Sequence, residues 1–160
     1  MKRRALFLDR DGVINVDHGY VARAQDFEPV EGVFDALRAA AAKGYLLVVV
    51  TNQSGIGRGY FSQEDYDRLE GHMRQLFASE GIDLAGIYHC PHDPAAACQC
   101  RKPEPGMLLR AAREHEIDLA QSVMVGDKLT DVAAGQAAGV GRAELVGPQR
   151  TLTDLVTTLG

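Results

Sequence analysis

Two carboxylates one residue apart, Asp9 and Asp11, stand at the end of the apolar run Leu6-Phe7-Leu8 and just before Gly12. Side chains alternate along a strand, so a strand reaching that far points both carboxylates the same way. Like charges side by side at the end of a buried strand repel, and need a cation or a shared proton to be tolerated. Such a pair is suited to holding Mg²⁺ beside a nucleophile. Taken alone, the same acids also make an ordinary turn with Gly12.

Further residues of matching chemistry follow. Thr51, with its hydroxyl and the N–H groups of Asn52-Gln53-Ser54, can bind phosphoryl oxygens. Lys102 and Lys128 bring positive charge, and Asp127 and Asp131 bring two more acids. A carboxylate attacking a phosphate dianion is opposed electrostatically. At ~4 Å and an effective dielectric of ~20 each unit-charge pair costs about 4 kcal/mol, roughly 8 for the dianion. Cations are therefore a requirement: Asp9 and Asp127 can hold Mg²⁺, and Lys102 and Lys128 bring positive charge of their own. Singly, each residue has a plainer reading: a strand-ending turn at Thr51-Asn52, a helix N-cap at Asp127, surface lysines at Lys102 and Lys128. The order in which they occur together favours phosphoryl chemistry.

Cys90, His92, Cys98 and Cys100 form a second constellation. Three thiolates and an imidazole complete a tetrahedral Zn²⁺ set with no open position, which makes the expected site structural rather than catalytic. The loop around them has little apolar content, so a metal would order a segment that cannot order itself. Free cysteines and a solvent-facing histidine are the alternative. A Cys98–Cys100 disulfide is opposed by the single residue between them. Arg101-Lys102 follow the last ligand directly, so zinc would also position Lys102.

Strands and helices must place these groups. Residues 4–8 read as a strand, and residues 31–43 as a helix stopped by Gly44. Leu46 to Val50 is an apolar strand of the kind buried on both faces. Ser62 N-caps a long helix that ends at Gly81. Residues 87–89 suggest a third strand, Pro105 to Glu116 a helix, Ser122 to Val125 a fourth strand, and a helix then runs to Ala138. Residues 143–146 and 150–159 suggest a last strand and helix. This alternation predicts a doubly wound, three-layer α/β/α parallel sheet, which binds ligands beyond the carboxyl ends of its strands. Asp9-Arg10-Asp11, Thr51 to Ser54 and Gly126-Asp127-Lys128 each follow a strand. Residues 12–29 read as an irregular polar and aromatic insert, and residues 90–103 as a Cys/His/Pro loop.

The 160 residues are expected to form one domain, 1–160. A hydrophobic share of 46% with 24% charged residues is ordinary for a globular chain. A net charge of −5 argues against a broad nucleic-acid or anionic-membrane surface, leaving a small anionic ligand as the expected partner. The basic start, Met1 to Arg4, precedes an apolar run too short for a signal peptide core or a membrane span, so a cytoplasmic protein is expected.

In these residues the chain resembles the haloacid dehalogenase (HAD) superfamily of phosphatases, whose aspartate nucleophile forms a phospho-enzyme. Asp9-Arg10-Asp11-Gly12, Thr51, Lys102 and Gly126-Asp127 through Asp131 stand at its four motif positions. The resemblance implies that Asp9 attacks phosphorus, and that Asp11 protonates the leaving oxygen and then deprotonates water. It implies that Asp9, Asp127 and the backbone carbonyl of Asp11 hold Mg²⁺, that Thr51 and Lys102 hold the transferring phosphoryl group, and that Asp131 is a weaker ligand or a support for the others. It also implies a HAD-like Rossmannoid fold without a large cap domain, and a monomer.

Two families of that superfamily carry such a zinc loop, the heptose 1,7-bisphosphate 7-phosphatases and the histidinol-phosphate phosphatases. The stretches Asn15 to Val21, Thr51 to Ile56, Cys100 to Pro103 and Gly106-Met107 are more similar to the heptose enzymes. This implies a sugar bisphosphate substrate, with Asp17, His18, Gly19, Tyr20, Asn52, Gln53 and Ser54 lining the sugar side, Arg101 on the non-reacting phosphate and Lys128 also in contact. The five residues between His92 and Cys98 are a short spacing, expected also of the histidinol enzymes. A non-catalytic zinc-stabilised binding domain is the reading from a different class; it would have no need to keep both Asp9 and Asp11.

Overall fold

Ala5–Leu8 (β1) is buried along its whole length, as a strand covered on both faces must be. It lies between Leu46–Asn52 (β2) and Val123–Gly126 (β4), with Leu84–Cys90 (β3) outside β2 and Arg142–Leu145 (β5) outside β4. The computed structural model describes residues 2–160. The sheet order is β3-β2-β1-β4-β5, and every pairing is parallel.

Alternate residues of the central strands feed two cores. Leu6, Leu8, Leu47, Val49, Val123 and Val125 face the helices Val33–Ala42 (α1), Gln63–Ser79 (α3) and Leu152–Thr157 (α6). Ala5, Phe7, Val48, Val50 and Met124 face Gly106–His115 (α4) and Leu129–Ala138 (α5). Each such Leu, Val or Phe contributes about 1.5–3 kcal/mol by leaving water. The result is the expected α/β/α sandwich. Direction reverses between β1 and β4, so the carboxyl ends of β1, β2 and β4 open into one crevice.

Several boundaries differ from the sequence reading for physical reasons. β2 runs on through Thr51 and Asn52, which are paired with His89 and Cys90 and are strand residues rather than a turn. β3 begins earlier than the sequence suggests, at Leu84, because pairing with β2 carries it through Ala85 and Gly86, residues of low strand propensity. A single helical turn, Ser54–Gly57 (α2), is hidden by its two glycines. The capping box of α3 is as expected: Ser62 Oγ accepts from the Asp65 N–H at 3.0 Å, and Asp65 accepts from the Ser62 N–H at 2.9 Å.

The insert after β1 is better anchored than its polar composition suggests. Val13, Ile14, Val21 and Phe27 are buried in the core, and Val16 and Val30 donate backbone hydrogen bonds to Glu28 and Ile14. Beyond a short 3₁₀ turn at Ala24–Asp26, it holds no helix among the described residues, so no cap domain covers the crevice.

Candidate active site

Asp9 follows β1 but stays tied to the sheet, its N–H donating to the carbonyl of Val125 at 3.1 Å. Its side chain is 6% exposed. Lys102 reaches it from the loop before α4, and all three ammonium donors are used: Asp9 Oδ1 at 2.8 Å, Asp131 Oδ1 at 2.6 Å and the Val50 carbonyl at 2.9 Å. Asp9 Oδ2 receives no hydrogen bond among the described residues. Burial pushes the Asp9 carboxyl up to about 7, against the pull of Lys102. Burial alone would lower Lys102; Asp9 and Asp131 outweigh it and hold the ammonium above its ordinary value.

The acids at the end of β4 divide their work. Asp131 accepts the Lys128 N–H at 3.1 Å and so caps α5 while bracing Lys102. Asp127 is thereby not the helix cap. Its Oδ1 is buried with no hydrogen-bond partner. Gly12 makes room for it: φ is +93°, and a Cβ there would stand 2.1 Å from Asp127 Oδ2. Gly126 is required in the same way, since its Cβ would meet Asp131 at 2.1 Å.

Asp11 is held from three sides. Its Oδ1 accepts from Arg10 Nε at 3.1 Å, Arg10 Nη2 at 2.8 Å and Asn15 Nδ2 at 2.9 Å. Its Oδ2 accepts from Gln53 Nε2 at 3.0 Å, and the same amide donates to Thr51 Oγ1 at 3.0 Å. Asn52 latches the Lys102 loop to β2: its Oδ1 accepts from the Lys102 N–H at 3.0 Å and its Nδ2 donates to the Lys102 carbonyl at 3.2 Å.

These groups open on a cleft of about 410 Å³, whose walls include Asp9, Asp11, Asp17, Gly19, Tyr20, Asn52, Gln53, Ser54, Arg101, Lys102 and Lys128. Lys128 Nζ stands 3.8 Å from Asp17 and 3.7 Å from Asp127. Thr51 is buried beneath the floor. His18 is the exception: it faces solvent, paired with Glu28 at 2.9 Å, and does not line the cleft. A larger hollow of about 590 Å³ lies between Val33, Val146 and Leu152. Its charged residues are Asp17 and Glu31, both acidic, so it offers no cationic side chain for a phosphate.

The second constellation also comes together. His92 Nδ1 is 3.4 Å from Cys90 Sγ and 3.2 Å from Cys100 Sγ, and Cys98 Sγ is 3.7 Å from Cys90 Sγ. Ligands of a tetrahedral Zn²⁺ stand roughly 3.5–3.8 Å apart, given Zn–S and Zn–N bonds of about 2.3 and 2.0 Å. The sulfurs of Cys90 and Cys100 also lie against each other, and all four donor atoms stand within 4.8 Å of one another, as one shared metal ion would require. The donor set and its spacing therefore fit zinc.

The model of the HAD-hydrolase-like family matches residues 99–146, a span from the cysteine loop through β5. A D-glycero-beta-D-manno-heptose-1,7-bisphosphate 7-phosphatase of Vibrio cholerae is 52% identical over 96% of this chain and 87% of its own length. The corresponding alpha-heptose enzyme of Burkholderia mallei is 49% identical over 91% and 81%. The chain belongs to this family of heptose-bisphosphate phosphatases. A solved member, the D,D-heptose 1,7-bisphosphate phosphatase of B. bronchiseptica complexed with magnesium and phosphate, superposes with a TM-score of 0.87. It is 29% identical and covers 98% of this chain and 97% of that one.

Membership in the family agrees with an acidic site suited to a divalent cation. Asp9, Asp127 and Asp131 each present an oxygen within 4.8 Å of the others. Asp9 and Asp131 share the Lys102 ammonium and Asp17 and Asp127 flank that of Lys128, so these carboxylates outnumber the ammoniums by two, an excess that one divalent ion would balance. The orphaned Asp127 Oδ1 is the atom most in need of it.

Sequence reading missed Arg10, which is 1% exposed and carries a full charge at the end of a buried strand. The available signal was its position between two acids, because a buried guanidinium must be paired. Asn52 and Gln53, expected against the sugar, stand on the cleft wall with their amides bonded to Lys102, Asp11 and Thr51.

Proposed function

We propose that this protein is a Mg²⁺-dependent phosphatase that removes the 7-phosphate of D-glycero-D-manno-heptose 1,7-bisphosphate. The observation that carries this is Asp9, fixed through Oδ1 by Lys102 and bare at Oδ2, beside Asp11 in an uncapped crevice. Asp9 attacks the 7-phosphorus as the bond from phosphorus to the sugar oxygen breaks. Asp11 gives its proton to that oxygen. Asp11 then takes a proton from a water molecule whose oxygen attacks the phospho-aspartate, releasing phosphate and restoring Asp9. Magnesium, held by the carboxylates of Asp9 and Asp127 and the backbone carbonyl of Asp11, would neutralise charge as the dianion meets Asp9.

Lys102, by exchanging one of its three bonds, and Thr51, which must be uncovered from its buried position, are the groups we assign to the phosphoryl oxygens, with Asp131 bracing Lys102. Arg101, on the cleft wall, is the cation we assign to the non-reacting phosphate, with Lys128 as a further substrate contact and Asp17, Gly19 and Tyr20 as the residues for the sugar; their place around the cleft supports this reading. Zinc at Cys90, His92, Cys98 and Cys100 is structural and fixes the loop that ends in Arg101-Lys102. No helix among the described residues is long and apolar enough to cross a membrane. We infer a cytoplasmic monomer that meets its sugar bisphosphate in solution, in heptose precursor synthesis for surface sugars.

The test is kcat/KM, with Mg²⁺, on both anomers of the heptose bisphosphate and on histidinol phosphate. Both anomeric names occur among relatives of near-equal identity, so both belong in the comparison. A preference for either bisphosphate is expected. A clear preference for histidinol phosphate would overturn the assignment.

A further inference from the structure

We propose that Arg10, Asn15 and Gln53 are positioning residues that give the two oxygens of Asp11 different tasks, keeping Oδ1 as an acceptor and leaving Oδ2 to carry the proton that moves. This rests on Asp11 being the proton donor, as set out above. Three N–H donors converge on Oδ1, two from Arg10 and one from Asn15, at 2.8–3.1 Å. A carboxylate oxygen has about two lone pairs, so Oδ1 is fully subscribed and has none left for a proton. Oδ2 takes a single donor, Gln53 Nε2 at 3.0 Å, and keeps a lone pair for the hydrogen. Protonated Asp11 is thus a carbonyl at Oδ1 and a hydroxyl at Oδ2.

The clamp cannot easily rearrange. Arg10 is 1% exposed, Asn15 is 0% exposed and Gln53 is 4% exposed. The Arg10 guanidinium also donates to the Val21 carbonyl at 3.1 Å, which joins Asp11 to the insert whose residues line the sugar side. In the first half-reaction the Oδ2–H bond breaks and its proton joins the sugar oxygen, which keeps the electron pair of the breaking bond to phosphorus. In the second half a water O–H bond breaks, its proton returns to Oδ2, and the water oxygen bonds to phosphorus as the bond from phosphorus to the Asp9 oxygen breaks, restoring the carboxylate. Oδ1 makes the same hydrogen bonds throughout.

A leaving-group comparison separates this role from a merely structural one. A sugar alkoxide needs the proton to leave, whereas 4-nitrophenolate does not. The experiment measures the first turnover, by rapid mixing with Mg²⁺, of wild type, Asn15→Ala and Arg10→Lys on heptose 1,7-bisphosphate and on 4-nitrophenyl phosphate. The expected result is a loss of about 10²-fold on the bisphosphate and less than about threefold in the nitrophenolate burst. Equal slowing on both substrates, or slowing on neither, would overturn the clamp. Thermal unfolding shows whether each variant is folded, and Asn15→Ala, which leaves the buried charge pair intact, decides if Arg10→Lys is not. A wild-type protein that releases no phosphate from the bisphosphate would strike the function itself rather than the clamp.

Discussion

The two metal-ready clusters of this chain are built on opposite terms. In the cleft, Asp9 and Asp131 share the Lys102 ammonium, Asp17 and Asp127 flank that of Lys128, the carboxylates are in excess, one buried Asp127 oxygen lacks a hydrogen-bond partner, and one Asp9 oxygen is bare. In the loop, Cys90, His92, Cys98 and Cys100 face only one another and leave nothing over for a substrate. An unbalanced site holds a cation and still has a group to react with; a closed site can only hold. Yet the loop ends at Cys100, and Arg101 and Lys102 come next. On the proposed reading the closed cluster is one tether of the Lys102 loop, and the Asn52 amide, bonded to the Lys102 backbone, is the other.

Removing the bare oxygen should have the largest effect. Asp9→Asn is expected to lower kcat on the bisphosphate by on the order of 10⁴-fold or more, with zinc content unchanged. Metal analysis beside the rate assay checks both halves. Next in size is the closed cluster. Cys98→Ser should lose zinc, lower Tm and reduce kcat roughly 10–100-fold through Lys102, although the substituted side chain lines no part of the cleft. A zinc-free variant with full activity would show that the loop does not position Lys102.

The acidity of the medium separates the clusters further. Burial raises the Asp9 carboxyl to about 7, so below that pH a proton competes with the cation for Asp9. Above it the carboxylate is free. Magnesium affinity should therefore weaken by about tenfold per unit as pH falls from 7 toward 5, as titration calorimetry would show. Asn52→Ala, which cuts one of two tethers on the Lys102 loop, should cost a smaller ~3–10-fold in kcat. His18→Ala should change kcat/KM least, by under about twofold, since His18 is solvent-facing and paired with Glu28.

The sheet was legible because its strands are continuous apolar runs, and the acids were legible because each follows such a run. Cys90, His92, Cys98 and Cys100 needed only their spacing. What escaped were contacts between distant segments. Nothing local distinguishes an Asn52 that faces a sugar from one whose amide latches onto Lys102, fifty residues away. Arg10 was lost because its partners, Asp11 and the Val21 carbonyl, are brought around it by an insert with no regular pattern. Asp127 was plausible as a cap until Asp131 was seen to take that bond. The start of the edge strand β3 is hidden by Ala85 and Gly86, which are weak strand formers paired into the sheet only through β2.

The most direct measurement is an acid-quenched first turnover on labelled heptose 1,7-bisphosphate with Mg²⁺, followed by peptide mapping of the protein. The label is expected on the peptide carrying Asp9, appearing before free phosphate. Free phosphate at the full rate with no label on the protein, or label on another residue, would contradict Asp9 as the nucleophile.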